Sequence, residues 1–164
     1  MPQPDRPRMV HNPRRGRPHR TVHHTRRLAI GLCAAVRSWN PTEVENTLNQ
    51  ADLPALSVVL AAMIPEGHSP RALLAWIDQD PNAPVELHPT RDINALAARA
   101  MVLSAAVRCW NYTHIKAALG SSPDWQGLCV VLAAMVPDDR AVDELLDWTR
   151  LRGDARDRGQ VWVA

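Results

Sequence analysis

The chain has 164 residues, of which 46% are hydrophobic and 22% charged, and its formal net charge at pH 7 is +2. This length allows one domain or two small ones with a real apolar core. No segment approaches the roughly 20 consecutive apolar residues that a membrane-spanning helix needs, so the sequence predicts no membrane association. Lysine occurs once among the 19 basic residues and phenylalanine is absent, which favours a GC-rich genome such as that of an actinobacterium or its phage.

The chain begins with a basic arm. Residues 1–28 carry eight arginines and one acidic residue, a charge of +7, whereas the remainder carries −5. Residues 1–27 contain five prolines and show no apolar periodicity. Because such a segment buries too little surface to offset its ordering entropy, we expect residues 1–27 to be disordered. A basic arm on an acidic body indicates a polyanionic partner.

One specific motif lies in this arm. Residues 13–20 begin Pro-Arg-Arg-Gly-Arg-Pro and resemble the AT-hook, a short peptide that binds the minor groove of A·T-rich DNA. The resemblance implies that Gly16 lies on the floor of the groove while Arg15 and Arg17 insert along it. Pro18 would keep the chain extended. We expect the remaining arginines to contact phosphates: Arg14, Arg20, Arg26 and Arg27.

The rest of the chain contains an internal duplication. Residues 34–40 (AAVRSWN) recur at 105–111 as AAVRCWN, and VVLAAM occurs at both 58–63 and 130–135. The offset is 71 residues at first and 72 later, which is a domain-sized repeat. The sequence therefore predicts four parts after the arm: helical repeat 1 (28–79), a proline-containing linker (80–91), helical repeat 2 (92–152) and a C-terminal tail (153–164).

Each repeat is predicted to form four helices. In repeat 1 the first helix begins at Leu28, and the other three follow residues that commonly cap helices: Asn40, Asp52 and Ser69. In repeat 2 the first helix begins near Asp92. The matching caps are Asn111, Asp124 and either Asp138 or Asp139.

The third helix of each repeat is apolar nearly all round, which is typical of a central helix. Ala61, Ala62, Ala133 and Ala134 would let the two central helices approach closely. The predicted fold is therefore all-α, with the two four-helix repeats packed as a pseudo-twofold bundle. Two separate four-helix beads are the alternative.

The sequence gives little support for catalysis or metal binding. Cys33, Cys109 and Cys129 each align with a serine in the other repeat, so we expect neither a disulfide nor a zinc site. No common catalytic motif occurs. We predict a protein that is not an enzyme and needs no metal or cofactor. An enzyme with its site in one repeat is the alternative.

An arginine–tryptophan pair is present in both repeats, as Arg37 with Trp39 and as Arg108 with Trp110. A structural interpretation makes each tryptophan a core residue whose edge the arginine covers. The alternative is a pair of symmetric ligand or partner sites. We expect Trp39 and Trp110 to occupy equivalent buried places.

These observations predict a non-enzymatic, DNA-associated protein of the cytoplasm, acting as a nucleoid or regulatory factor. The arm would bind DNA, and the duplicated body would serve assembly, through homo-oligomerisation or a protein partner. The alternative is an interaction adaptor whose arm binds an acidic protein, RNA or the acidic body itself.

Overall fold

The computed structural model of the chain describes residues 18–79, 92–120 and 124–157. This part is all-α, as predicted, and contains no strand. The predicted linker at residues 80–91 lies outside the described residues. Eight helices make up the described part: α1 (Pro18–Arg37), α2 (Pro41–Gln50), α3 (Leu53–Met63), α4 (Pro70–Gln79), α5 (Ile93–Arg108), α6 (Tyr112–Gly120), α7 (Trp125–Met135) and α8 (Val142–Asp157).

Most helices begin directly after the residue that the sequence predicted as their cap. The side-chain oxygen of Asn40 accepts the backbone N–H of the residue three positions on, at 3.1 Å. Asp52 and Asp124 make the same bond at 3.2 Å and 2.8 Å. These bonds satisfy amide groups that have no partner within their own helix. Two further predicted caps are confirmed, Ser69 and Asn111, and Asp92, near which a helix was predicted to begin, caps α5.

The first helix begins earlier than predicted. It starts at Pro18, ten residues before Leu28, so the predicted disordered arm does not extend to residue 27. Proline is tolerated in a first helical turn, and no glycine or proline follows it before Leu28. Thr25 is buried in the body and the Arg26 guanidinium forms an ion pair with Asp143. These contacts attach the part of α1 around Thr25 and Arg26 to the folded body.

The last helix begins later than predicted. It starts at Val142, so neither Asp138 nor Asp139 is its cap. The carboxylate of Asp138 instead lies 3.5 Å from Arg37, a residue of the other repeat. The helix also continues to Asp157, into the segment predicted as a tail.

The two central helices, α3 and α7, pack against each other and form the middle of the core. Their inward side chains are fully buried, and Ala61 and Ala133 leave room for the close approach of the two backbones. Burying one leucine or methionine contributes about 1.5–3 kcal/mol. The largest buried members are Leu56, Leu60, Met63, Leu128, Leu132 and Met135.

The outer helices connect the repeats. Helix α1 packs on both α3 and α7, and α5 does the same, while α4 contacts α7 and α8 contacts α3. Each repeat therefore contributes helices to a shared core. The alternative of two separate beads is wrong for this part of the chain.

Candidate functional site

The arginine–tryptophan segments lie where α1 and α5 end. Trp39 and Trp110 both have a φ of 52°, in the left-handed region that favours glycine. The amide of Asn40 donates to the carbonyl of Ala35 at 3.0 Å, which closes the helix end in the manner of a Schellman motif. A side chain in this conformation costs about 1–2 kcal/mol. Contacts of the two indole rings must offset that cost.

In the first cluster, Arg37 joins the two tryptophans of repeat 1. Its guanidinium carbon lies 4.1 Å from the centre of the Trp76 ring, and the Trp39 ring centre lies 5.3 Å from that of Trp76. Arg37 Nη2 donates to the carbonyl of Val136 at 2.9 Å. The cation therefore stacks on an aromatic face of its own repeat while it binds the other repeat.

The second cluster repeats this arrangement from the other side. The guanidinium carbon of Arg108 lies 4.8 Å from the ring centre of Trp148. Arg108 Nε donates to the carbonyl of Ile64 at 3.2 Å, and Nη1 lies 3.4 Å from a carboxylate oxygen of Glu66. The Arg37 cluster differs in that the buried Nε of Arg37 has no hydrogen-bond partner among the described residues.

Each cluster caps the central helix of the other repeat. Trp76 Nε1 donates to the carbonyl of Ala134 at 2.9 Å, and Trp148 Nε1 donates to that of Ala62 at 3.0 Å. These carbonyls lie in the last turn of α7 and α3, where no intrahelical donor is available. A cation at a helix C-terminus also interacts favourably with the helix dipole. Both arginines therefore help to cap the C-terminus of a central helix.

The two clusters differ in exposure. Trp39 is half-buried, whereas Trp110 is 53% exposed, so the expectation of equivalent burial is wrong for Trp110. The rings of Trp110 and Trp148 lie 6.3 Å apart and meet edge-on at 65°, which leaves more of Trp110 uncovered. Tyr112, two residues on, is 76% exposed. Tyr112 was not predicted from the sequence as a site residue. The available signal was a difference between the repeats, because the equivalent position in repeat 1 holds Pro41.

A shallow depression of about 230 Å³ opens beside Arg37. Apolar side chains such as Leu73 and Met135 form part of its lining, together with His68, Asp138 and Arg140. Arg37 is already bound by Val136 and Asp138. Among the described residues, no group of three side chains is arranged to hold a metal ion.

The predicted DNA-binding residues divide into two groups. Arg14, Arg15, Gly16 and Arg17 lie outside the described residues, whereas Pro18 is the first residue of α1 and Arg20 lies in its first turn. Arg27 is exposed. Arg26 forms an ion pair with Asp143, and its role as a phosphate contact stays a prediction.

The three cysteines are free thiols. Burial raises the pKa of Cys33 from its ordinary value of 9.0 to about 12, with Arg37 opposing the shift. Burial likewise raises the pKa of Cys129 to about 11, although a hydrogen bond with Ser57 opposes the shift. Cys109 is exposed at the end of α5.

Comparison with known proteins found no matching family model, no similar curated protein and no similar solved structure. Within the part that the structure describes, no helix has the length and apolar character to cross a membrane.

Proposed function

We propose that this chain is a non-enzymatic, DNA-associated protein that binds the minor groove of A·T-rich DNA through its arginine-rich arm. The observation that carries the proposal is Arg15-Gly16-Arg17-Pro18 at the end of an arm, residues 1–17, whose five arginines and one aspartate give +4, while the body from residue 18 onward carries 14 basic and 16 acidic residues, which is −2. Arginine suits a narrow minor groove because its flat guanidinium is weakly hydrated. An acidic body adds nothing to phosphate attraction, so affinity resides in the arm.

The body holds the arm on a rigid base. Burial of Thr25 and the Arg26–Asp143 ion pair attach the N-terminal half of α1 to the core. The arm that precedes α1 is therefore residues 1–17, which retain five arginines. In a nucleoid or regulatory role, the body would act in assembly while this segment binds DNA.

The proposal includes a pseudo-twofold arrangement of the repeats. Ser57 and Cys129 are equivalent positions, and their Oγ and Sγ atoms lie 3.2 Å apart, as expected for residues next to a twofold axis. The reciprocal contacts of Arg37 and Arg108 support the same arrangement. Such a body resembles a dimer joined into one chain.

A binding titration tests the DNA proposal. The full chain and a variant lacking residues 1–17 are compared on A·T-rich and G·C-rich duplexes at several salt concentrations. We expect the deletion to abolish binding without loss of helicity, because all eight described helices lie after residue 17. If the arm neutralises five phosphates, log affinity falls with log salt at a slope of about −4.5.

A matched variant separates groove recognition from simple charge. Changing Arg15 and Arg17 to Lys keeps the charge, so non-specific affinity should persist while the preference for A·T-rich DNA is lost. Equal discrimination by this variant and the parent would disprove the AT-hook interpretation. Tight DNA binding by the arm-deleted chain would place the function in the body.

The second candidate function is an interaction adaptor. The exposure of Trp110 and Tyr112 favours it, because exposed aromatic residues are common at protein interfaces. In this case the arm would bind an acidic protein or RNA. Binding of single-stranded RNA at least as tight as binding of A·T-rich DNA, with the same dependence on residues 1–17, would favour the adaptor.

A further inference from the structure

Repeat 2 exposes several apolar side chains at its surface. Tyr112 is 76% exposed, Val102 58% and Trp110 53%. The equivalent positions in repeat 1 hold Pro41, Gly31 and the half-buried Trp39, so this surface does not come from the duplication itself. Trp110 and Tyr112 are two residues apart where α5 ends and α6 begins, and exposed aromatic side chains are common at interaction sites. We call the pair Trp110 and Tyr112 the aromatic edge.

We propose that residues 1–17 of the same chain dock on the aromatic edge and are thereby held away from nucleic acid. The inference rests on the proposed function, because it regulates the segment assigned to DNA. The docked state and the DNA-bound state of the arm would be mutually exclusive.

The chemistry of the arm suits the aromatic edge. Its first eight residues contain Pro2, Pro4 and Pro7 together with Arg6 and Arg8. Proline-rich segments pack on exposed tryptophan and tyrosine rings, and arginine stacks on the same faces through cation–π attraction. A segment that carries both residue types can use both contacts in the same site.

The point where the arm leaves the body places this surface within reach. Arg26 contacts Asp143 at the start of α8, and Trp148 on the same helix has its ring centre 6.3 Å from that of Trp110. Pro18 lies about 12 Å along α1 from Arg26, and Trp148 about 7.5 Å along α8 from Asp143. Even with the lengths of the bridging side chains, the path is roughly 40 Å. An extended segment of 17 residues spans about 53 Å at about 3.1 Å per residue.

Charge favours the same path. Residues 1–17 carry five arginines and one aspartate. The first two turns of α8 carry three acidic residues, Asp143, Glu144 and Asp147, of which Asp143 also pairs with Arg26. On this path, Arg14, Arg15 and Arg17 would pass near this acidic segment. Tethering gives an effective concentration on the order of millimolar, so a weak contact suffices.

The test follows the indole N–H signal of Trp110 by NMR in the full chain and in the chain lacking residues 1–17. The Trp110→Phe variant assigns the signal. We expect the deletion to shift the Trp110 signal at low salt, and a synthetic peptide of residues 1–17 added to the deleted chain to restore it. High salt should remove the difference, because charge pairing supports the contact.

The variant Trp110→Ala with Tyr112→Ala should raise DNA affinity at low salt several-fold, because it releases the arm. The matched control Ile30→Ala, which removes another exposed apolar side chain, should leave DNA affinity unchanged. An identical Trp110 signal with and without the arm would overturn the inference. So would a shift that depends on protein concentration in both chains, which would place a second copy on the surface.

These experiments distinguish failure of the docking proposal from failure of the proposed DNA-binding function. If the peptide shifts the Trp110 signal but the full chain and the released variant do not bind DNA, the proposed function fails and the docking stands. If the arm binds DNA but the Trp110 signal is the same with and without residues 1–17, the docking fails and the proposed function stands.

Discussion

Trp39 and Trp110 show how a costly residue conformation is retained when it serves packing. Both have a left-handed backbone, where glycine would cost less. Each indole compensates by packing on a second tryptophan, Trp76 or Trp148, whose N–H caps a helix of the other repeat. The half-buried Trp39 ring recovers more of the backbone cost than the exposed Trp110 ring does.

Replacing each of these tryptophans by glycine should reveal that difference. Trp39→Gly should lower the free energy of unfolding by about 2 kcal/mol, because lost ring contacts exceed the relieved backbone strain. Trp110→Gly should stay within about 1 kcal/mol of the parent, because its ring is already 53% exposed. Urea unfolding followed by circular dichroism measures both. Equal destabilisation by the two variants would contradict the argument.

The buried thiols predict a loss of stability at alkaline pH. The pKa of Cys33 is raised to about 12 and that of Cys129 to about 11 in the folded chain. Unfolded thiols ionise near their ordinary pKa, so the unfolded state releases protons first as pH rises. The contribution of the two protonated thiols to the free energy of unfolding is complete below the ordinary thiol pKa of 9.0. It is lost as the pH rises toward the pKa values of the folded chain.

Unfolding measured from pH 8 to 11 checks this expectation. The Cys33→Ser, Cys129→Ser variant should fold and should lose less stability over this range than the parent. Retention of the fold follows from the serines that already occupy the equivalent sites in the other repeat, Ser104 and Ser57. An unchanged pH slope in the variant would assign the alkaline loss to other groups.

At the scale of helices, the sequence predicted those helix starts that depend on neighbouring residues. The caps Asn40, Asp52 and Asp124 were predictable because a short polar side chain before an apolar run satisfies the first amides of a helix. The start of α8 was not, because Asp138 pairs with Arg37 and this contact depends on the packing of distant segments. The start of α1 depends in the same way on Thr25 and Asp143.

The close packing of α3 on α7 predicts sensitivity to added volume. Ala133 is fully buried between the central helices, whereas Ala34 is exposed on α1. Ala133→Leu should reduce stability by about 1–3 kcal/mol or more, because the core has no space for three extra carbons. Ala34→Leu is the matched control and should change stability by less than about 0.5 kcal/mol. Similar effects at both sites, measured by urea unfolding, would contradict close packing of α3 and α7.

At the scale of the whole molecule, each repeat completes the other. Arg37 and Trp76 of repeat 1 cap α7, while Arg108 and Trp148 of repeat 2 cap α3. The internal duplication made an interaction between repeats predictable. The exposure of Trp110 was not predictable, because it arises from a small difference in ring packing between nearly identical sequences.

Cutting the chain within residues 80–91 tests this mutual dependence. Neither fragment alone should reach the helicity of the intact chain, because each lacks the groups that cap its central helix. Mixed in equal amounts, the fragments should form a 1:1 complex whose helicity approaches that of the parent. Circular dichroism and analytical ultracentrifugation measure these outcomes. Two independently folded fragments that do not associate would overturn the shared core.

The reciprocal caps also bear on how fast the chain folds. Arg37 and Val136 are 99 residues apart in sequence, and Trp148 and Ala62 are 86 apart. Helical proteins usually fold fast because most of their contacts are local. Here the ends of the central helices are completed only after distant segments meet, and the entropy of closing such large loops is lost first. This chain should therefore refold more slowly than an up-and-down helical bundle of equal length, at a rate closer to that of proteins with sheets.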